Sequence, residues 1–183
     1  LLGAAVAREA GLRGSRRASH VFIMDVPGYD RPLLMTDCVV NIFPSLMEKR
    51  DIAQNAVDLA HAIGIVQPRV ALLSAVETVN PAIPGTIDAA ALCKMADRGQ
   101  ITGGVLDGPL AFDNAVSIEA ARTKGITSPV AGQADILLVP DLESGNMLAK
   151  QLMYLGGAAS AGIVLGAKVP IVLTSRADES RIA

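Results

Sequence analysis

The run Ala134-Asp135-Ile136-Leu137-Leu138-Val139-Pro140-Asp141-Leu142-Glu143-Ser144-Gly145-Asn146-Met147-Leu148-Ala149-Lys150 reads as a strand, a turn and a helix in direct succession. Ala134 to Val139 is continuously apolar apart from Asp135, as a strand covered on both faces must be. Pro140-Asp141 stops it, and the spacing predicts a helix from about Gly145 to Leu155. A strand that passes straight into a helix is half of a βαβ unit, so its neighbours should repeat the pattern.

They do. Arg69 to Ser74 is a second buried run, followed by the turn-rich Asn80-Pro81-Ala82-Ile83-Pro84-Gly85 and a helix from about Ile87 to Asp97. Thr86 is the expected N-cap of that helix and Gly99 its stop. Gly104 to Asp107 is a short strand. Gly108-Pro109 follows as a tight turn, Asp113 or Asn114 fits an N-cap, and Ala115 to Lys124 is a helix. Upstream, His20 to Asp25 and Pro32 to Asn41 are apolar runs. Phe43-Pro44-Ser45 opens a helix with Pro44 in the first turn, where a missing N–H costs nothing. On that helix Ile52, Ala56, Leu59, Ala60 and Ile63 recur at helical spacing, with Asp51, Asn55 and Asp58 opposite, and Gly64 ends it. Ile163 to Leu165 and Pro170 to Leu173 supply the last strand material. Alternation of this kind predicts an α/β fold with a largely parallel sheet between helical layers.

Composition agrees. The 183 residues are 51% hydrophobic but only 3% aromatic, without Trp, so the core must be built from Ala, Val, Ile and Leu. That mixture suits parallel strands under Ala-rich helices and disfavours a β-sandwich. The length allows one domain, or one domain and part of another. Leu1 to Ala7 reads as the interior of a helix, and Arg181-Ile182-Ala183 follows a charged turn with no closing element, so a fragment of a larger protein is expected.

A net charge of -2 gives no reason to expect nucleic acid or an anionic membrane as a partner. Cys38 and Cys93 lie in apolar surroundings and are expected to be reduced core residues of a cytoplasmic protein. Lys168 and Pro170 interrupt the best apolar run, and the first residues lack the pattern of a signal peptide. His20 and His61 have no Cys or acidic partner at metal-ligand spacing, so no metal site is expected. There is no dinucleotide fingerprint, Walker loop or nucleophile elbow.

Ligands of open α/β sheets bind beyond the carboxyl ends of the strands, which directs attention to Asp25, Ser74, Asp107, Asp141 and Ser175-Arg176. Val169 to Asp178 places a hydroxyl, a guanidinium and a carboxylate just after a buried run. Arg176 could hold phosphate and Asp178 could accept a proton, although Ser175 and Asp178 would equally make a capping box without a ligand. Asn146, Lys150 and Tyr154 fall at i, i+4 and i+8 after Gly145, and this shared face would suit an anion or a solvated surface. The acidic residues around Gly108-Pro109 have a sufficient structural explanation.

Three segments, in order, resemble the phosphate acetyl/butyryl transferase family: Asp107 to Ser117, Ala134 to Lys150, and Pro170 to Asp178. His20 to Asn41 is similar to the butyryltransferase-like branch and to homologues fused to an enoyl-CoA hydratase-like domain. The resemblance implies a three-layer fold like that of isocitrate and isopropylmalate dehydrogenases, with the active site in a cleft between two domains. It implies that residues 1–14 end a first domain, that 15–160 form the second α/β domain, and that 161–183 return toward the first. It implies transfer of acetyl or butyryl between coenzyme A and phosphate, with coenzyme A as substrate, no metal or organic cofactor, and a homodimer or higher oligomer. Ser175 and Arg176 match the family's Ser-Arg pair and would stabilise the oxyanion and the phosphate, with Asp178 the nearest carboxylate to act as base. Asp107, Asp141, Gly145, Asn146, Lys150 and Tyr154 become substrate-binding candidates. Ile182 stands where the acetyltransferase branch carries its base, and Tyr154 and Gly3 stand where it carries arginines. Those departures keep two other readings open: an acyl-phosphate synthase fed by acyl carrier protein, and a non-catalytic binding or assembly domain of the same fold.

Overall fold

The computed structural model describes residues 14–169, 171 and 172. Among these residues six strands form one sheet: β1 (Ser19–Asp25), β2 (Leu33–Thr36), β3 (Arg69–Leu73), β4 (Val105–Leu110), β5 (Ile136–Leu138) and β6 (Ala159–Leu165). Their order is β4-β3-β5-β2-β1-β6. β2, β3, β4 and β5 are mutually parallel, whereas β1 runs antiparallel to both β2 and β6. The reversal is local, since β1 returns as β2 through the short turn at Pro27-Gly28, where Gly28 has φ of 85°.

Five helices among the described residues cover the sheet. α1 (Leu46–Ala62) and α2 (Pro84–Asp97) lie on one face, while α3 (Phe112–Val116), α4 (Ile118–Thr123) and α5 (Leu142–Tyr154) lie on the other. Strand residues divide between the faces by their two-residue period. In β5, Ile136 and Leu138 join the α1/α2 core and Leu137 joins the α3–α5 core; in β3, Val70 and Leu72 face one way and Ala71 and Leu73 the other. Two apolar cores around one sheet explain the near-continuous hydrophobic runs in the sequence.

Several local details differ from expectation. Pro44 lies before α1 rather than in its first turn. Ser45 is the N-cap and exchanges side chain–backbone hydrogen bonds with Glu48, a capping box. Ile63 is exposed at the C-cap, and the buried stripe of α1 is Ile52, Ala53, Ala56, Val57 and Ala60. Asn55, assigned to the polar side, is buried because its amide donates to Arg17 O and Ser19 Oγ, each at 2.9 Å, tying α1 to the start of β1. α2 starts at Pro84, with Ile83 at the cap. Thr86 is inside the helix, where its hydroxyl donates back to Ile83 O and Asn80 O. Gly108-Pro109 is no turn but part of β4, where a Cβ on Gly108 would lie 2.6 Å from Leu72 Cβ. The helix expected over Ala115 to Lys124 is two pieces. Ala111, not Asp113 or Asn114, caps the first; Ser117 leaves the helical conformation to cap the second. Beyond β6 the chain turns at Gly166, and Ile171 pairs antiparallel with Val164.

No helix among the described residues is long and apolar enough to cross a membrane. Cys38 is buried and Cys93 half-buried; neither is in a disulfide. Burial raises both thiols, Cys93 to about 12, so neither is an ionised nucleophile at neutral pH.

Candidate active site

Because β2, β3, β4 and β5 are parallel, their carboxyl ends share one edge of the sheet, and three polar groups collect there. The first is built on α5. Asp141 leaves β5 in extended conformation and caps the helix, accepting from Ser144 N at 2.8 Å and Ser144 Oγ at 2.9 Å. Gly145 is buried in the next turn. A Cβ there would lie 2.6 Å from Val139 Cγ2, 3.1 Å from Cys38 Sγ and 3.3 Å from Asp37 O, so only glycine lets α5 approach the end of β2 this closely. Asn146 uses that approach to donate through Nδ2 to Cys38 O at 3.2 Å.

The second group is the loop that leaves β2. Asp37, 3% exposed, accepts from Val39 N at 2.9 Å and Val40 N at 3.0 Å through one oxygen. Its other oxygen accepts from Asn41 N at 3.2 Å and Asn41 Nδ2 at 2.5 Å. Four donors to one buried carboxylate satisfy its charge without a cation. Asn41 passes the order on: its Nδ2 also donates to Ala18 O, and its Oδ1 accepts from Arg17 Nε at 2.6 Å. Arg17 pairs in turn with Glu48 at 3.1 Å and lines a cleft of about 400 Å³ together with Val40, Asp51 and Gly166.

The third group follows β3 and β4. Lys124 lies 2.6 Å from Glu77 and 3.0 Å from Asp113, and its hydrogen bonds hold both carboxyls below their usual range. Asn114, fully buried, donates to Glu77 at 2.6 Å. Its backbone carbonyl accepts from Gly132 N at 2.7 Å, which fixes α3 against the segment leading into β5.

The residues singled out from sequence thus fall in different places. Asp141, Gly145 and Asn146 come together at the carboxyl edge. Lys150 and Tyr154 continue the same face of α5 outward, both exposed. Asp107 lies within β4 rather than after it, accepting from its neighbour Gly108 N at 2.9 Å, and β3 separates its strand from β5. Asp25 is at the opposite end of the sheet, because β1 runs backward. Ser175, Arg176 and Asp178 lie outside the described residues. Sequence reasoning missed Asp37, Asn41 and the Glu77–Lys124 pair. The spacing Asp37-Cys38-Val39-Val40-Asn41 at the end of an apolar run was the available signal for the first two, since an Asp after a strand can fold the following N–H groups onto itself.

A family model described as phosphate acetyl/butaryl transferase matches residues 2–182. The chain is 67% identical over 181 residues to a phosphate acetyltransferase of Rhizobium meliloti, which covers 99% of this chain and 57% of that protein. It is 52% identical over 171 residues to a phosphate butyryltransferase of Clostridium acetobutylicum, covering 93% of this chain and 57% of that one. Among solved structures, a branched-chain phosphotransacylase from Enterococcus faecalis V583 superposes with a TM-score of 0.89 at 38% identity, over 97% of this chain and 63% of that one. The chain therefore spans little more than half the length of either of these two curated relatives.

Proposed function

This chain belongs to the phosphate acetyl/butaryl transferase family, and from that premise we propose that the whole protein carries a short acyl group, acetyl or butyryl, reversibly between coenzyme A and inorganic phosphate. The observation that carries the reading is the extent of the match, residues 2–182, which takes in the Ser175-Arg176 pair as well as the ordered turn at Gly145-Asn146. In the direction of thioester synthesis, the coenzyme A thiol gives its proton to a carboxylate, for which Asp178 is the candidate. The thiolate attacks the carbonyl carbon of the acyl phosphate; the C–S bond forms, the C–O bond to phosphorus breaks, and phosphate leaves with the electron pair. Ser175 and Arg176 donate to the developing oxyanion and the departing phosphate. Both acyl donors are already activated, so the transfer calls for coenzyme A as substrate and no resident cofactor. Asp141, Gly145, Asn146, Lys150 and Tyr154 form the α5 side of the substrate site in this proposal, with Asp107 a more distant contributor. A cytoplasmic location and a homodimeric assembly complete the proposal.

The test is direct. The whole protein should release free thiol from acetyl-CoA or butyryl-CoA only when inorganic phosphate is added. Thiol release that ignores phosphate with both thioesters would rule the proposal out.

A further inference from the structure

We infer that Asp37 is a positioning residue for the acyl-transfer site, holding Asn146 and the first turn of α5 in register with the end of β2; this rests on the function proposed above. Nothing in the chemistry of transfer needs a carboxylate at this position. Asp37 is buried, makes no ion pair among the described residues, and spends both oxygens on the loop that follows it, at Val39 N, Val40 N, Asn41 N and Asn41 Nδ2. The loop so folded is the surface on which α5 begins. Its Cys38 carbonyl accepts from Asn146, its Cys38 Sγ and Asp37 carbonyl are, beside Val139 of β5's exit, among the atoms a side chain on Gly145 would strike, and its Ile42 carbonyl accepts from Leu142 N at 3.0 Å. Three successive contacts from one loop thus set the height and rotation of the first turn of α5. The same carboxylate orients Arg17 by way of Asn41, so both sides of the β2 exit depend on one buried group.

The geometry states what a subtle change would do. Asp37→Asn keeps one acceptor oxygen for Val39 N and Val40 N but turns an NH₂ group toward Asn41 N and Nδ2, donor against donor. The loop keeps its first half and loses its second. A carbonyl that shifts under Asn146 shifts the residue that touches substrate, and displacements of this order are felt strongly in transfer reactions.

The experiment compares the whole protein as wild type, Asp37→Asn, Asn146→Ala and the double variant, with phosphate-dependent thiol release from acyl-CoA as the activity. Thermal unfolding establishes the folded fraction at the assay temperature, and hydrogen exchange is followed over residues 142–147. Per folded molecule, Asp37→Asn should raise KM for acyl-CoA roughly fivefold or more, with a smaller change in kcat, and speed exchange in the first turn of α5. In the Asn146→Ala background the same substitution should add little, because the two act through one contact. Unchanged KM per folded molecule, or full additivity with Asn146→Ala, overturns the inference while leaving the proposed function standing. A wild-type protein without phosphate-dependent thiol release overturns both. If Asp37→Asn does not fold, Asn41→Asp, which sets a second carboxylate against Asp37, takes its place with the same readouts.

Discussion

Lys49 Nζ lies 2.7 Å from Asp88 Oδ2, joining α1 to α2 across their contact on one face of the sheet. The Lys49 side chain is 6% exposed and that of Asp88 28%, so the pair is half inside the protein and its cation has little access to water. Removing the carboxylate strands the buried ammonium, which costs more than the pair itself contributes. Asp88→Ala should destabilise by about 3 kcal/mol, whereas Lys49→Met, which removes the charge that needs a partner, should cost clearly less. Chemical denaturation of the two variants checks the asymmetry; equal losses would mean that water reaches Lys49.

Ser45 and Glu48 close the start of α1 reciprocally, and the hydrogen bond from Ser45 N is the main reason the Glu48 carboxyl sits below its usual range. Ser45→Ala should cost about 1 kcal/mol. The Glu48 contribution is present above its unfolded pKa and is lost as pH falls through the lower folded value. Ser45→Ala keeps that backbone N–H and should therefore keep the loss of stability in acid, whereas Glu48→Gln should remove it; the denaturation midpoints of the two variants across pH check this.

His20 behaves with the same sign by a different route. It lies on β1 opposite Val164 of β6, and burial lowers its pKa from 6.5, with Asp37 pulling the other way. As pH falls through about 6.5 the denatured side chain takes up a proton while the folded one stays neutral, so stability is lost from there down to the folded pKa. Between about pH 7.5 and 5.5 the protein should lose more stability than a His20→Gln variant. Parallel pH profiles for the two would show that His20 titrates normally in the fold.

At Gly145 the close approach of α5 to Cys38 and Val139 leaves no room for a methyl group. Gly145→Ala should cost about 1–3 kcal/mol by overpacking. It should also depress acyl transfer per folded molecule, because Asn146 moves with the helix. Kinetics on protein shown to be folded separate the two effects.

Arg176→Ala should lower turnover at least tenfold, a barrier change of about 1.4 kcal/mol. Unchanged turnover would assign Arg176 to structure alone.

The alternation of strands and helices was legible because both faces of β3 and β5 are buried, and burial on two faces writes itself as an unbroken apolar run. The ends of elements were less so. Thr86 has the chemistry of an N-cap, yet Pro84 starts α2 two residues earlier, and tertiary bonds from Asn80 recruit the hydroxyl inward. Ser117 breaks one expected helix into two while Asn114 is fixed to Gly132, a contact across 18 positions that no local pattern records. Of the candidate site, the α5 group Asp141, Gly145 and Asn146 could be read from a strand-turn-helix motif. Asp37 could not be ranked, since an Asp near a strand end reveals its partners only once the loop has folded around it. Asp25 misled because a strand's direction is set by its pairing, and β1 pairs antiparallel.

Gly14 and Gly166 meet where the chain approaches β1 and where it leaves β6: a side-chain carbon on Gly14 would run into the Gly166 carbonyl, and one on Gly166 into that of Arg17. The two passages are thus laid side by side like the paired leaves of a hinge, one crossing toward the sheet and one away from it. Both passages reach the sheet at a single corner, beside the cleft lined by Arg17, so a bulkier residue at either glycine would force that corner apart from outside the strands.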